Sequence, residues 1–302
     1  MTVSELLDAL LKERILEQVT KGTHFDCLRK IIRCFGKDPP VEELFTKAGI
    51  LRYRTWLIET PLMKPVLTTR RRMPSTINHM LYVVMDWWTY AADEDIVDYR
   101  PPSYRKILVP APRQIPTAWT LDEFRKIIRS LRHMKQERYW NKRHFACLLL
   151  VLYYTGQRIS ATIALKLEDQ SDNMLTFRWQ NDKKRKEKVR RIPRFLVRLL
   201  ASLRRRPGDD RLIPTKKNTD LLYEQMKRVL IKAGLPHTNR DMFHKIRRSA
   251  ATQIARNRTL EAARIFLDHS SVKVTRDYVD PRQIQDKVLR MPLVKLMGNP
   301  LE

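Results

Sequence analysis

The stretch "RPPSYRKILVPAPRQIP", residues 100–116, constrains this chain more than any other, because it holds five prolines. Proline fixes its own φ and has no amide proton to donate, so a run this rich in it interrupts helices and sheet interiors alike. An extended connection is expected there. With 302 residues in all, the pieces on either side are each long enough to bury a core of their own. The expected organisation is a helical N-terminal domain over 1–100, a proline-rich linker over 101–116, a second domain over 117–281 and a tail over 282–302, with the break near residue 115.

Helical periodicity dominates both pieces. In "SELLDALLKERILEQV", Leu6, Leu7, Leu10, Leu11, Ile15 and Leu16 fall on one side of a helix. In "STINHMLYVVMDWWTYAA", residues 75–92, Ser75 is the expected N-cap, and Ile77, Met80, Leu81, Val84, Trp87 and Trp88 form an apolar stripe. The two tryptophans continue that stripe, so packing in a core is expected of them rather than stacking on bases. Past the linker, "WTLDEF" pairs Thr120 with Glu123 as a capping box, and Trp119 can staple onto Phe124. One interruption follows. "MLTFRWQ" at 174–180 alternates, and "VRRIP" at 189–193 resumes after the basic stretch "NDKKRKEK", which reads as a β-hairpin with a charged tip. The fold class expected is mainly α with a small β-hairpin.

Lys and Arg together number 60 against 33 Asp and Glu, a net charge of +27. Charge of that sign favours a polyanion, and double-stranded DNA is the partner expected. An anionic membrane surface is the other polyanion to weigh. The longest apolar run, "ACLLLVLYY" at 146–154, is too short to span a bilayer, and the acidic amphipathic N-terminus does not read as a signal peptide. The three cysteines, Cys27, Cys34 and Cys147, are widely spaced with no CxxC. They suggest a reduced interior, no disulfide framework and no zinc site. The compartment expected is cytoplasmic, associated with the nucleoid if the chain is prokaryotic or phage-encoded.

Four short stretches could carry chemistry. In "YYTGQRISATIALKL", Gly156 suits the left-handed end of one helix, and Arg158 falls in the first turn of the next. There it combines a bidentate phosphate fork with the positive end of a helix, or is simply a solvated arginine. In "DMFHKIRRSAATQIA", His244 and Arg247 share a helix face, followed by small apolar residues that suit tight packing. The alternative is a capping histidine beside a basic patch. In "LDHSSVKVTRDYVDP", Ser270 or Ser271 can cap a short helix between His269 and Tyr278. Tyr278 is either a half-buried core residue or a nucleophile. An ordinary phenol, with a pKa of about 10, attacks poorly unless the fold supplies cations and a proton acceptor. The hairpin tip "KKRKEKVRR" reads as a solvated backbone contact from which one lysine could enter a site.

Taken in order, "TGQRIS", the basic hairpin, "HKIRR", "LDHSS" and Tyr278 resemble the tyrosine recombinase (phage integrase) family. The resemblance covers nearly the whole chain, with its specific motifs in the second domain. It implies a two-domain clamp around DNA: a helical core-binding domain followed by an α+β catalytic domain. It implies that Tyr278 is the nucleophile, that Arg158, Arg247, His244 and His269 surround the phosphate, and that a hairpin lysine, Lys183 or Lys184, protonates the leaving oxygen. Counting back from Pro193 at the family's interval lands on Arg185, so the hairpin is slightly longer than usual and Lys183 is the first choice. Arg70, Arg71, Arg72, Arg185, Lys186 and Arg248 are the expected DNA contacts. No metal and no cofactor are expected. A tetramer assembled on DNA is, with residues 282–298 as the segment docking onto a neighbouring protomer.

Two positions depart from the family pattern. Asp268 stands where a glycine is usual, and Ala161 stands where an acid normally supports the arginines. Other readings remain beside the recombinase. One is a type IB topoisomerase-like relaxase that reseals the original strand. Another is a non-catalytic DNA-binding protein on the same scaffold. The third, an RNA-binding protein explained by charge alone, leaves the order of the motifs unexplained.

Overall fold

The computed structural model of this chain describes residues 1–14, 18–61, 71–112, 115–134, 140–181, 186–215, 219–238 and 241–285. The chain divides into two compact units, Met1–Arg113 and Gln114–Glu302.

The first unit is helical: α1 (Val3–Glu13), α2 (Gln18–Phe35), α3 (Val41–Leu44), α4 (Lys47–Glu59), α5 (Pro74–Asp93) and α6 (Tyr104–Ile107). α1 starts on a capping box between Thr2 and Glu5 and buries Leu6, Leu7 and Leu10. Ile15 and Leu16, expected on the same stripe, lie outside the described residues. α5 carries the centre of this core. Trp87 and Trp88 are fully buried in it, and each indole N–H is satisfied, by His24 Nδ1 at 2.8 Å and by the Tyr99 carbonyl at 2.9 Å. That arrangement accounts for two large amphipathic side chains in a dry interior. Burial pushes the His24 pKa down, which keeps the ring neutral and able to accept the Trp87 proton. The helix starts two residues earlier than Ser75 as N-cap would place it. Met73 is the cap and Pro74 is the first helical residue, where its preset φ helps and its missing N–H costs nothing.

The proline-rich segment is less extended than its composition suggests. The seven residues between Pro102 and Pro110 leave room for one helical turn, α6, and Ile107 on it enters the first unit's core. Asn78 on α5 then exchanges two hydrogen bonds with the Val109 backbone, at 2.8 and 2.9 Å. The segment up to Val109 therefore belongs to the first unit, and the change of unit falls at residues 113 and 114.

The second unit contains α7 (Leu121–Ser130), α8 (Lys142–Thr155), α9 (Ile159–Ile163), β1 (Gln170–Ser171), β2 (Met174–Phe177), β3 (Lys188–Arg191), α10 (Arg194–Ala201), α11 (Thr219–Lys232), α12 (Phe243–Asn257), α13 (Leu260–Leu267), α14 (Val272–Arg276) and α15 (Pro281–Gln285). The expected capping box of Thr120 and Glu123 opens α7, and Trp119 and Phe124 enter one core. The expected hairpin forms between β2 and β3, with Met174 opposite Arg191 and Phe177 opposite Lys188. A short β1 adds a third antiparallel strand that alternation over two residues could not signal. α8 is apolar nearly all round and lies in the middle of this core. A smaller apolar cluster of Ala251, Ala255, Ala263, Leu267 and Val279 ties α12 to α13 and to the chain after α14. The alanines of α12 let these backbones come close enough for the polar end of the helix to meet the turn before α14.

Among the described residues, no helix is long and apolar enough to cross a membrane.

Candidate active site

The site begins at the end of α8. Gly156 takes the left-handed conformation, φ +62°, and turns the chain directly into α9. Arg158 is the N-cap of that five-residue helix, one position earlier than first-turn placement would have it. A Cβ on Gly156 would stand 2.2 Å from the Phe266 ring. Gly156→Ala therefore combines a strained φ with a clash. It is expected to cost about 2–4 kcal/mol of stability, read as a lower denaturation midpoint. A midpoint equal to wild type would mean the turn is not built this way.

α12 supplies the next groups. Arg247 is 3% exposed, and its guanidinium donates to two backbone carbonyls, those of Gly156 and, at 2.8 Å, Leu267. One side chain thus joins the α8–α9 turn to the C-terminus of α13. Burial lowers its pKa, and Tyr278 and Asp268 oppose that effect. Arg248 is half-buried, with a long contact to the Thr117 carbonyl at 3.4 Å. It also bears electrostatically on His244 and Tyr278, so it stands at the reactive cluster.

His244 presents its ring in the first turn of α12. Its pKa is pushed down to about 4, by the packed groups around it and then by Arg248, Arg247 and Arg158. The ring is still solvent-exposed, so the burial part is weakened by water, and repulsion by three cations is the sturdier cause. Both act in one direction, and His244 is neutral at pH 7 and able to take a proton. Its folded-state pKa lies below the unfolded value. The stability it contributes is therefore full above about pH 6.5 and is lost as pH falls through about 4. An NMR titration of the DNA-free protein should place the His244 midpoint well below that of an unperturbed imidazole. A midpoint at or above about 6.5 would rule this environment out.

α13 ends on Asp268, a non-glycine residue at φ +54°, and His269 follows. Of the two serines expected to cap the next helix, Ser271 does so, accepting from the Val274 amide. His269 Nδ1 lies 3.1 Å from the hydroxyl of the fully buried Thr275. The same hydroxyl can donate to the Ser271 carbonyl at 3.4 Å, in which case Nδ1 carries the ring proton; when the hydroxyl donates to Nδ1 instead, the proton sits on Nε2, which can donate to an anionic oxygen. Motif order pointed to His269 but not to Thr275. A hydroxyl one turn into the following short helix was the available signal.

Tyr278 lies just beyond α14, between two imidazoles. The rings of His244 and His269 meet it edge-on at 5.2 and 5.1 Å, and the Arg247 guanidinium carbon is 6.0 Å from its centroid. Its hydroxyl oxygen is buried and makes no hydrogen bond of ordinary geometry. Burial raises its pKa, against the pull of Arg247, Arg248 and Arg158, so the phenol stays protonated at neutral pH. The chain around it is firmly held. The Asp280 amide donates to Thr252 at 3.0 Å, and the Asp280 carboxylate accepts from Ala118 at 3.1 Å.

An open cleft of about 430 Å3 runs beside His269, lined among others by Lys186, Lys188, Arg264 and Ser270. Lys186 is exposed there. Lys183, Lys184 and Arg185 lie outside the described residues, as does Arg70. Arg71 is exposed, as a DNA contact requires. Arg72 corrects its expectation. It is 8% exposed and donates to the carbonyls of Leu57 at 3.2 Å and Thr60 at 2.6 Å, so it anchors the end of α4 instead of reaching outward. Ala161 is buried in the apolar core.

His244, His269 and Arg247 therefore surround the Tyr278 phenol, and Arg158 bears on it electrostatically. Guanidinium groups can stabilise charge on a pentavalent phosphorus, and neutral His244 can receive the phenolic proton.

A sequence model of the phage integrase family matches residues 120–284. The chain is 22% identical over 310 residues to a putative tyrosine recombinase XerC of Pseudomonas aeruginosa, covering 93% of this chain and 69% of that protein. Its fold is similar to that of lambda integrase, solved as a dimer bound to a COC' core site, with a TM-score of 0.68 at 17% identity over 93% of this chain and 78% of that one. It is also similar to the Tn1549 transposon integrase, solved with a circular intermediate DNA, with a TM-score of 0.68 at 13% identity over 96% and 100% of the two chains.

Proposed function

The chain belongs to the phage integrase family, and on that premise we propose that it is a site-specific recombinase that cuts and rejoins duplex DNA through a 3′-phosphotyrosyl intermediate. The observation that carries this reading is the Tyr278 phenol, its oxygen buried without a hydrogen bond of ordinary geometry, set between His244 and His269 and beside Arg247.

In the proposed reaction, Arg158 and Arg247 bind the non-bridging oxygens of the scissile phosphate. The Tyr278 oxygen attacks phosphorus as His244 takes its proton. The bond from phosphorus to the 5′ oxygen breaks, and that oxygen is protonated by a hairpin lysine, Lys183 or Lys184 in this proposal. His269 donates a hydrogen bond to a phosphate oxygen. Proton transfer of this kind is typically worth about 10²–10⁴-fold per group. The phosphotyrosyl bond keeps the energy of the phosphodiester, so a second 5′ hydroxyl can reverse the step on the same strand or a different one. A charge of +27 favours the approach of DNA, and Arg71, Lys186 and Arg248 are proposed to contact its backbone. A tetramer acting in pairs on two duplexes is proposed as the working assembly; the lambda integrase neighbour's dimer on DNA supports an oligomer on DNA, not the number four.

The test uses nicked duplexes, drawn by binding selection from a randomised library and incubated with the protein in EDTA. The nick lets the short strand diffuse away and traps the adduct. A protein-sized shift on a denaturing gel, together with strand exchange between two differently labelled duplexes, is the expected result. An adduct accompanied only by relaxation of supercoiled DNA would mean that the original strand is always resealed, and would favour the relaxase. Selective binding without adduct would leave a non-catalytic DNA-binding protein.

A further inference from the structure

Asp268 holds a costly position. It is left-handed at φ +54°, a conformation glycine reaches without strain and a side chain adopts at an expense of about 1 kcal/mol. Its carboxylate explains what the position gains. It accepts from the Arg190 guanidinium at 2.6 Å and faces the Lys188 ammonium at 3.6 Å. Both cations belong to β3, and the Lys188 side chain is only 6% exposed. A cation so enclosed needs an opposite charge nearby. Asp268 also favours the charged form of Arg247. Its neighbours in sequence are the Leu267 carbonyl, which receives Arg247, and His269, which packs on Tyr278.

We propose that Asp268 is a positioning residue for DNA cleavage: through Arg190 and Lys188 its carboxylate clamps the hairpin strand β3 to the turn that holds Arg247 and His269. The proposal rests on the recombinase reading. Asp268 touches no reacting atom. Its effect is to fix the register between the hairpin and the arginine–histidine cluster, and to offset repulsion among cations gathered for one phosphate.

A negative charge beside a phosphate site opposes DNA binding while the clamp favours reaction, so the two roles move in opposite directions when the charge is removed. Asp268→Asn keeps a side chain that tolerates the left-handed conformation and removes the charge. On nicked duplexes at saturating protein, its single-turnover cleavage should fall about tenfold to a hundredfold. Its DNA affinity should be unchanged or tighter. Asp268→Gly relieves the backbone, and should be more stable than Asp268→Asn yet as slow. Arg190→Gln should also be slow, and the Asp268→Asn/Arg190→Gln double variant no slower than the slower single. Cleavage by Asp268→Asn at the wild-type rate, full activity in Asp268→Gly, or additive losses in the double variant would each overturn the clamp. Wild type and Tyr278→Phe are run alongside. A wild type that forms no Tyr278-dependent adduct overturns the recombinase reading and this proposal together. An active wild type with an unaffected Asp268→Asn overturns this proposal alone.

Discussion

Tyr278→Phe is expected to abolish the covalent protein–DNA adduct while leaving DNA binding intact and making the fold no less stable. The substitution deletes a single oxygen, the one proposed to attack phosphorus. Affinity is retained because the group lost is neutral and the cations around it stay. The stability arm is the less obvious part. The Tyr278 hydroxyl is buried without a hydrogen bond of ordinary geometry, and a buried polar group in that state costs about 1–3 kcal/mol. Removing it should leave Tm unchanged or raise it by a few degrees, since about 1 kcal/mol is worth roughly 2–4 °C in a unit of this size. An adduct persisting in Tyr278→Phe would show that another residue attacks. A marked fall in Tm would show that the hydroxyl has a structural partner.

Arg247→Lys is expected to lose both activity and stability, although the charge is kept. The guanidinium of Arg247 donates to two backbone carbonyls, at Gly156 and Leu267, and in the proposed reaction its remaining N–H groups bind the phosphate. An ammonium has one nitrogen and cannot serve both carbonyls and a phosphate at once. Removing one preorganised donor to a transition state typically costs about 10²–10³-fold. Adduct formation should fall by at least that factor. Leaving a buried carbonyl unpaired adds about 1–3 kcal/mol of lost stability. Arg158 is half-buried at a helix N-cap, so Arg158→Lys should show a comparable loss of cleavage with a smaller change in Tm. A variant Arg247→Lys with wild-type Tm would mean that the two carbonyl contacts carry no weight. Retained cleavage would remove Arg247 from the phosphate clamp.

Much of this architecture could be read along the chain. Apolar spacing located α1 and α5, the Thr120–Glu123 pair located the start of α7, and alternation located β2 and β3. Signals of this kind act within one turn or one strand pair, and nothing distant is needed to satisfy them. The start of α5 was misread by two residues because Pro74 and Ser75 both suit a helix N-terminus and local preference does not rank them. Arg72 was misread for a different reason. An arginine beside Arg70 and Arg71 looks like part of an exposed basic strip, and only the fold shows that the carbonyls of Leu57 and Thr60 end within its reach.

The site divides along the same line. Order and spacing of "TGQRIS", "HKIRR", "LDHSS" and Tyr278 pointed, through the family resemblance, to Arg158, His244, Arg247, His269 and Tyr278 as the proposed site, because residue types at fixed offsets are sequence information. The sequence by itself also determined two bodies, a helical fold with one hairpin, and a surface suited to a polyanion. Tertiary structure alone decided how the named residues are held: Arg247 by Gly156 and Leu267, His269 by Thr275, the hairpin by Asp268. The first of these bonds spans 91 residues and ends on a backbone carbonyl. Every residue carries that same carbonyl, so no letter in the sequence marks which one will receive a guanidinium. The choice is made when the alanine face of α12 packs against α13 and brings those backbones within reach.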